Sequence, residues 1–155
     1  METCLCVFTL QADEADHPLV RHALNMIQSG YKNVLVRTID TDVLVLLLAH
    51  IPQVDDININ AYLINSDKYY DIQEIIRTLG PSTYKALPFF YAFSGCDVVS
   101  SFYGKGKCKM YDIWTQCSYK DELTEIFIQL GKSPSTVTDY QMNLLEKYVL
   151  EIYGS

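Results

Sequence analysis

The sequence predicts an α/β domain with a parallel sheet and flanking helices, followed by a helical C-terminal segment. Short segments rich in strand-forming residues alternate with segments whose apolar residues recur at helical spacing, which is typical of parallel α/β sheets. The chain has 155 residues, 49% hydrophobic and 20% charged, so it can bury a core and is not of disordered composition. Beyond residue 110, helical patterns dominate.

The first predicted strand and helix lie within the first 31 residues. Segment 4–10 (CLCVFTL) alternates and is rich in strand formers, so we expect a strand there. In segment 12–31 the apolar residues recur at helical spacing. Pro18 suits the first turn of that helix, and Gly30 stands where the helix would stop.

A second strand and a short second helix follow. Segment 33–38 (NVLVRT) is apolar on both faces, which predicts a central, parallel strand. In segment 39–51 (IDTDVLVLLLAHI), Asp40 or Thr41 can cap a helix, and Asp42 would lie in its first turn. The β-branched content of this segment leaves a strand as the alternative.

The remaining patterns predict one more strand and then helices. Segment 57–64 (ININAYLI) alternates like a strand, and segment 70–80 (YDIQEIIRTLG) has one apolar helical face that ends at a Gly-Pro pair. Segment 83–95 (TYKALPFFYAFSG) predicts a buried helix that ends at its last glycine. The tail closes with a capped helix over 134–153.

Composition and charge exclude several classes of protein. No segment approaches the roughly 18 consecutive apolar residues of a membrane helix, and the N-terminal sequence lacks the basic leader of a signal peptide, so no membrane association is expected. The five cysteines form no C-x-x-C pair. We therefore expect neither a disulfide framework nor a zinc site, but an intracellular location, with the nucleus as one candidate compartment. A net charge of −7 disfavours nucleic-acid binding unless the acids cluster in a metal site.

Two acidic pairs follow the first two predicted strands. Glu14 and Asp16 come after the first strand, Asp40 and Asp42 after the second, and Asp97 closes the helix before a glycine-rich loop. If the two strands are parallel neighbours, both pairs emerge at the same edge of the sheet. Such carboxylate clusters suit Mg²⁺ or Mn²⁺, and paired ions of this kind serve phosphodiester cleavage. The alternative is that these are solvated acids of loops and helix caps.

The loop 104–107 (GKGK) permits two interpretations. It could be an ordinary flexible turn, or a hairpin between two helices whose amides face a phosphate backbone, with Lys105, Lys107 and Lys109 adding positive charge. The spacing of a P-loop is absent. Four tyrosines could stack on bases, although burial with one polar end is the preferred interpretation: Tyr69, Tyr70, Tyr91 and Tyr103.

The order of these motifs is similar to that of a known protein family. An acidic pair after a strand (DEAD, 13–16) is followed by TIDTD (38–42), then IQEIIRTLG (72–80), then FSGCDVVSSFYGKG (93–106). Over roughly residues 5 to 110 the chain resembles the flap-endonuclease/5′-exonuclease family of the PIN-like nuclease fold. It is still more similar to an animal and mobile-element-associated branch of that family.

The resemblance implies a role for each acidic residue and for the glycine loop. The catalytic residues, which would also hold Mg²⁺ or Mn²⁺, are Glu14, Asp16, Asp40, Asp42 and Asp97. The residues implied to bind nucleic acid are Gly104, Lys105, Gly106 and Lys107. The implied activity is metal-dependent hydrolysis of phosphodiesters in structured DNA, with branched DNA or a single-strand/duplex junction as the partner.

The resemblance also divides the chain and leaves alternatives open. It implies a partial PIN-like core over 1–110, which includes the start of a helix-hairpin segment, and a helical extension over 111–155. The family's N-terminal half, with its first strand and further aspartates, has no counterpart here, so we expect the two-ion site to be incomplete. A second interpretation is a degenerate or truncated relative that acts as a non-catalytic binding or scaffold module. A third is a phosphotransfer domain with an aspartate of the DTD segment as nucleophile, to which the match is partial.

Overall fold

The computed structural model describes residues 6–9, 16–51, 56–96, 99–132 and 137–154. The chain divides into two compact units, Met1–Tyr84 and Lys85–Ser155. The first unit contains the sheet, and the second unit is helical.

The sheet of the first unit has four strands in the order β1-β2-β3-β4. The strands are β1 (Cys6–Thr9), β2 (Asn33–Thr38), β3 (Asn58–Leu63) and β4 (Lys68–Asp71). The first three strands are parallel, which confirms the three predicted strands and the central position of β2.

The prediction of a wholly parallel sheet is wrong at one edge. The unpredicted strand β4 runs antiparallel to β3. Only the 3₁₀ turn Ile64–Ser66 and Asp67, whose φ is +53°, separate the two strands. A connection this short permits an antiparallel pair but not a parallel one. The strand escaped prediction because it is a short, largely exposed edge segment without the alternation of a half-buried strand.

Three helices of the first unit form one layer on the sheet: α1 (Asp16–Gln28), α2 (Asp42–His50) and α3 (Ile72–Leu79). Helix α1 packs on α2 and β2, and α3 packs on α2 and β3. Beneath them, alternate residues of β2 and β3 are buried: Val34, Val36, Thr38, Ile59, Ala61 and Leu63. The intervening residues of these strands are half-buried or exposed, so this layer of helices covers one face of the sheet.

The segment with two open interpretations is helical, so the strand alternative for 39–51 is wrong. The apolar side chains of α2 at Val43, Leu47 and Leu48 are buried. Helix α3 starts at a cap that the sequence analysis did not predict. The side chain of Asp71 accepts a hydrogen bond from the amide of Glu74 at 2.9 Å.

The second unit packs its helices around an aromatic core. Helix α4 (Pro81–Phe93) begins in the first unit, and α5 (Lys107–Gln116), α6 (Lys120–Lys132) and α7 (Asp139–Gly154) follow. Five rings surround Phe127, with centroid separations between 5.1 and 6.2 Å: Phe89, Phe90, Phe93, Trp114 and Tyr148. The polar ends of two of these rings are satisfied. The indole of Trp114 donates to Thr124 Oγ1 at 3.0 Å, and the hydroxyl of Tyr148 donates to the carbonyl of Met110 at 2.7 Å.

The predicted domain boundary at residue 110 comes from the family resemblance, and it stays a prediction. Helix α5 crosses that position and packs with α6 and α7. Within the part of the chain that the structure describes, no helix is long and apolar enough to cross a membrane.

Candidate functional site

The carboxyl ends of β1 and β2 lie side by side. The two strands are parallel neighbours, with Thr9 at the end of β1 opposite Arg37 near the end of β2. This pairing is the arrangement on which the predicted carboxylate cluster depends. The start of α1 at Asp16 follows β1, and the segment with Asp40 and Asp42 follows β2 directly.

A buried threonine and Asp40 organise the turn between β2 and α2. The hydroxyl of Thr38, which is 6% exposed, accepts the amide of Asp40 at 3.0 Å. Asp40 Oδ1 in turn accepts the amide of Asp42, the first residue of α2, at 2.8 Å. Of the two predicted caps, Asp40 makes the side-chain hydrogen bond, whereas Thr41 makes none. Both aspartates are half-buried, and the hydrogen bond holds the Asp40 carboxylate against the main chain at the N-terminus of α2.

The sequence reading missed the role of Thr38. A short hydroxyl side chain two residues before an aspartate can close a local turn by accepting the amide of that aspartate. The Thr-x-Asp spacing in TIDTD is therefore a readable signal. A further contact comes from Asn65, whose side-chain amide donates to the carbonyl of Ile39 at 3.4 Å and ties the turn after β3 to the turn after β2.

The side chains of the other three predicted acids are not among those that the structure describes. Glu14 and Asp97 lie outside the described residues, and only the main chain of Asp16 is described, as the first residue of α1. Among the side chains that the structure describes, no three His, Cys, Asp or Glu groups come together as metal ligands. The described part of the predicted site is therefore the Asp40–Asp42 turn.

Gly95 shapes the chain after α4. The main-chain groups of Cys96 and Val99 exchange two hydrogen bonds, at 3.0 and 3.1 Å. Gly95 has a φ of +105°, and a Cβ there would lie 2.5 Å from the Cα of Ser101. Only glycine fits this position.

A polar cavity of about 500 Å³ lies beside this loop in the second unit. Its walls come from α4, the loop and the first residue of α5: Tyr91, Gly95, Cys96, Val99, Ser100, Ser101 and Lys107. The Nζ of Lys107 lies 3.4 Å from the ring centroid of Tyr91, so a cation borders the cavity. Hydroxyls and an ammonium group are suitable partners for a phosphate oxygen.

The predicted nucleic-acid-binding loop leads into α5. Gly104 has a φ of +70°, Gly106 occupies the N-cap, and Lys107 is the first helical residue. Lys105 also meets an aromatic ring, with its Nζ 5.5 Å from the centroid of Tyr153. Both lysines therefore lie against tyrosine rings.

We expected the four tyrosines to be buried with one polar end in water, and this prediction is wrong for two of them. Tyr69 is 67% exposed and Tyr103 is 93% exposed. Tyr70 and Tyr91 are half-buried, as expected for rings with one polar end in water.

Comparisons of the chain with protein-family profiles, with curated proteins and with solved structures found no match. Functional assignment therefore rests on the motifs and the geometry of this chain.

Proposed function

We propose that this chain is a PIN-like, metal-dependent phosphodiesterase domain related to the flap-endonuclease/5′-exonuclease family, acting on structured DNA. One observation supports the proposal: β1 and β2 are parallel neighbours, so the segments that follow them start at the same edge of the sheet. In open α/β sheets, ligands bind beyond the carboxyl ends of the strands. The motif order from DEAD to GKG supplies the choice of family.

The side chains at this edge carry the type of ligand atom that a hard divalent cation prefers. The Asp40–Asp42 turn offers half-buried carboxylate oxygens, the donor type that Mg²⁺ and Mn²⁺ prefer. Glu14 and Asp16 are the further ligands from the first unit that the proposal requires. A bound cation would supply Lewis-acid activation of the phosphodiester and neutralise charge on the leaving oxygen.

The chain's own residues hold the site in shape. Thr38 fixes the main chain of Asp40, and Asp40 fixes the first turn of α2 and with it the position of Asp42. The N-terminus of α2 carries a partial positive charge, which lowers the cost of two neighbouring carboxylates. Gly104, Lys105, Gly106 and Lys107 would contact the phosphates of the bound strand through main-chain amides and ammonium groups.

A second candidate is a non-catalytic binding or scaffold module, and one observation favours it. Asp40 already has a structural partner, because its Oδ1 accepts the amide of Asp42. The same contact is made by acids that simply start helices in proteins without a metal site. The two candidates differ in whether the turn binds a divalent cation.

Calorimetric titration with Mn²⁺ separates the candidates. We expect saturable binding by the native chain and its loss in the double variant Asp40→Asn/Asp42→Asn. Asparagine keeps a side-chain oxygen that can accept the amide at position 42, so the turn survives while the charge is removed. The matched control is Asp121→Asn, because Asp121 is an exposed acid in the first turn of α6.

Cleavage of branched DNA in Mn²⁺ is the second step. We expect the native chain and the Asp121 variant to cleave alike and the double variant to be inactive. Binding of Mn²⁺ that survives in the double variant, or no binding by the native chain, would overturn the proposed metal site and leave the scaffold module as the function to pursue.

A further inference from the structure

A row of three stacked side chains crosses the sheet from β2 to β4. The strand register places Arg37 opposite Tyr62 and Tyr62 opposite Tyr69. The guanidinium carbon of Arg37 lies 5.7 Å from the ring centroid of Tyr62. The rings of Tyr62 and Tyr69 have centroids 4.5 Å apart and an angle of 30° between their planes. A cation and two aromatic rings therefore form one continuous stack on the face opposite the helical layer.

The inner part of this stack is held in place. The hydroxyl of Tyr62 donates to Asp67 Oδ1 at 2.7 Å, and this hydrogen bond raises the pKa of Tyr62. Tyr62 thus has a cation on one side, a ring on the other and a carboxylate at its tip. The stack is preorganised, which reduces the entropy that a ligand would lose on adding to it.

The outer end of the stack is open. Strand β4 is the edge of the sheet, and Tyr69 is 67% exposed on it. An edge tyrosine that served only to cover the sheet would bury more of its ring against its neighbours. The outer surface of this ring offers a flat, polarisable platform at the end of an ordered stack.

The other side chains on this face of β2 and β3 are three amides and one leucine. Leu35 lies opposite Asn60, and Asn58 Nδ2 donates to Asn33 Oδ1 at 3.0 Å. Amides on the same face as an exposed ring suit the donors and acceptors on base edges. Proteins that hold single strands combine stacking rings with cations in this way.

We propose that the open end of the Arg37–Tyr62–Tyr69 stack binds a nucleobase of single-stranded nucleic acid, with Tyr69 as the stacking residue. Arg37 directly precedes Thr38, so the stack lies at the same end of β2 as the Asp40–Asp42 turn. A base bound there would hold a single strand beside the acidic edge of the sheet. The proposal rests on the proposed function for its substrate class, but the binding itself requires no metal.

The charges near the stack predict how this binding responds to salt. Arg37 is the cation of the stack, Lys68 directly precedes Tyr69 on β4, and the carboxylate of Asp67 accepts from Tyr62. If Arg37 and Lys68 both neutralise phosphates of a single strand, the logarithm of affinity should fall with the logarithm of salt concentration with a slope no steeper than about −1.4. Binding dominated by the lysine-rich loop before α5 would add further phosphates and a steeper slope.

The test is fluorescence anisotropy with a labelled oligothymidylate of about 10 nucleotides, in EDTA, on the full chain. The variant Tyr69→Thr removes the ring but keeps a strand-forming residue on the edge. Tyr69→Phe keeps the ring. Tyr140→Thr removes a tyrosine that is 59% exposed in the second unit and serves as the matched control.

We expect Tyr69→Thr to weaken binding on the order of ten-fold, the loss typical of one stacked base, and the other two variants to bind like the native chain. An abasic oligonucleotide of the same length should bind as weakly as Tyr69→Thr. Equal affinities for the abasic and thymidylate strands, an equal loss in the Tyr140 variant, or no binding by the native chain would each overturn the proposal. Because EDTA removes divalent cations, failure of the metal site would leave this result unchanged, and failure of the stack would leave the Mn²⁺ titration unchanged.

Discussion

Substituting Gly95 by alanine should strongly destabilise the second unit. The new Cβ would lie 2.5 Å from the Cα of Ser101 and 2.6 Å from its Cβ, whereas carbon atoms in contact prefer about 3.5–4.0 Å. Because one of these atoms belongs to the main chain, the loop must move by about 1 Å. Gly95 also has a φ of +105°, a region that alanine rarely adopts.

The expected loss combines two terms. A residue held in an unfavourable backbone region costs about 1–3 kcal/mol, and forcing an extra methyl group into a packed site costs about 1–3 kcal/mol. We therefore expect the free energy of unfolding to fall by about 2–6 kcal/mol. With a urea dependence of about 1 kcal/mol per molar, the unfolding midpoint should drop by about 2 M or more.

Two other glycines provide internal controls. Gly104 has a φ of +70° but open space around its missing Cβ, so Gly104→Ala should cost only about 1 kcal/mol. Gly106 has an ordinary φ of −80° and open space, so Gly106→Ala should change stability by no more than about 0.5 kcal/mol. The three variants separate the effect of close packing from the effect of backbone conformation.

Trp114 makes the assay selective. It is the only tryptophan of the chain, and it is fully buried in the core of the second unit, so its fluorescence during urea unfolding reports on that unit. We expect the midpoints to decrease in the order native and Gly106→Ala, then Gly104→Ala, then Gly95→Ala. Equal midpoints for the variants at 95 and 106 would refute the description of the loop.

Three further predictions concern stability. Replacing Tyr148 by phenylalanine removes the hydrogen bond to the carbonyl of Met110 and should lower the free energy of unfolding, followed through Trp114 in urea, by about 1 kcal/mol; no change would mean that water replaces the hydroxyl. Replacing Asp71 by alanine removes the cap of α3 and should cost about 1 kcal/mol in thermal unfolding followed by circular dichroism, whereas Asp71→Asn should cost much less. Burial raises the pKa of Tyr148 and of Tyr119 above the ordinary 10.0, so both stay protonated while the unfolded chain loses those protons. The second unit should therefore lose stability as the pH rises above about 10, and both tyrosines should ionise only with unfolding when tyrosinate absorbance is followed; early ionisation of all tyrosines would contradict this.

The layered arrangement of the first unit was largely predictable. The apolar character of segment 33–38 and the alternation of segment 57–64 reflect burial under helices, and each segment carries that signal in its own residues. The same holds for α1 and α3, whose apolar residues recur on one face. The prediction that both acidic segments follow the same sheet edge required β1 and β2 to be parallel neighbours. The strand pairing shows that they are.

The candidate site was only partly predictable. The position of Asp40 and Asp42 after a central strand could be read from the sequence, but their local hydrogen bonding could not be distinguished from ordinary capping. Sequence patterns specify which residue types follow a strand. They do not specify whether a carboxylate already accepts a hydrogen bond from a main-chain amide, as Asp40 does from Asp42.

The sequence by itself determined the kinds of element in this protein and their order, because helical and strand periodicities follow from local geometry and burial. Only the tertiary structure decided the antiparallel edge strand, the stack from Arg37 to Tyr69 and the approach of Gly95 to Ser101. Each of these depends on which distant residue becomes a neighbour, and neighbours are chosen by the packing of the whole unit. A tyrosine on a short exposed segment has no periodic partner in sequence, so its place in a stack appears only once the strand register is known.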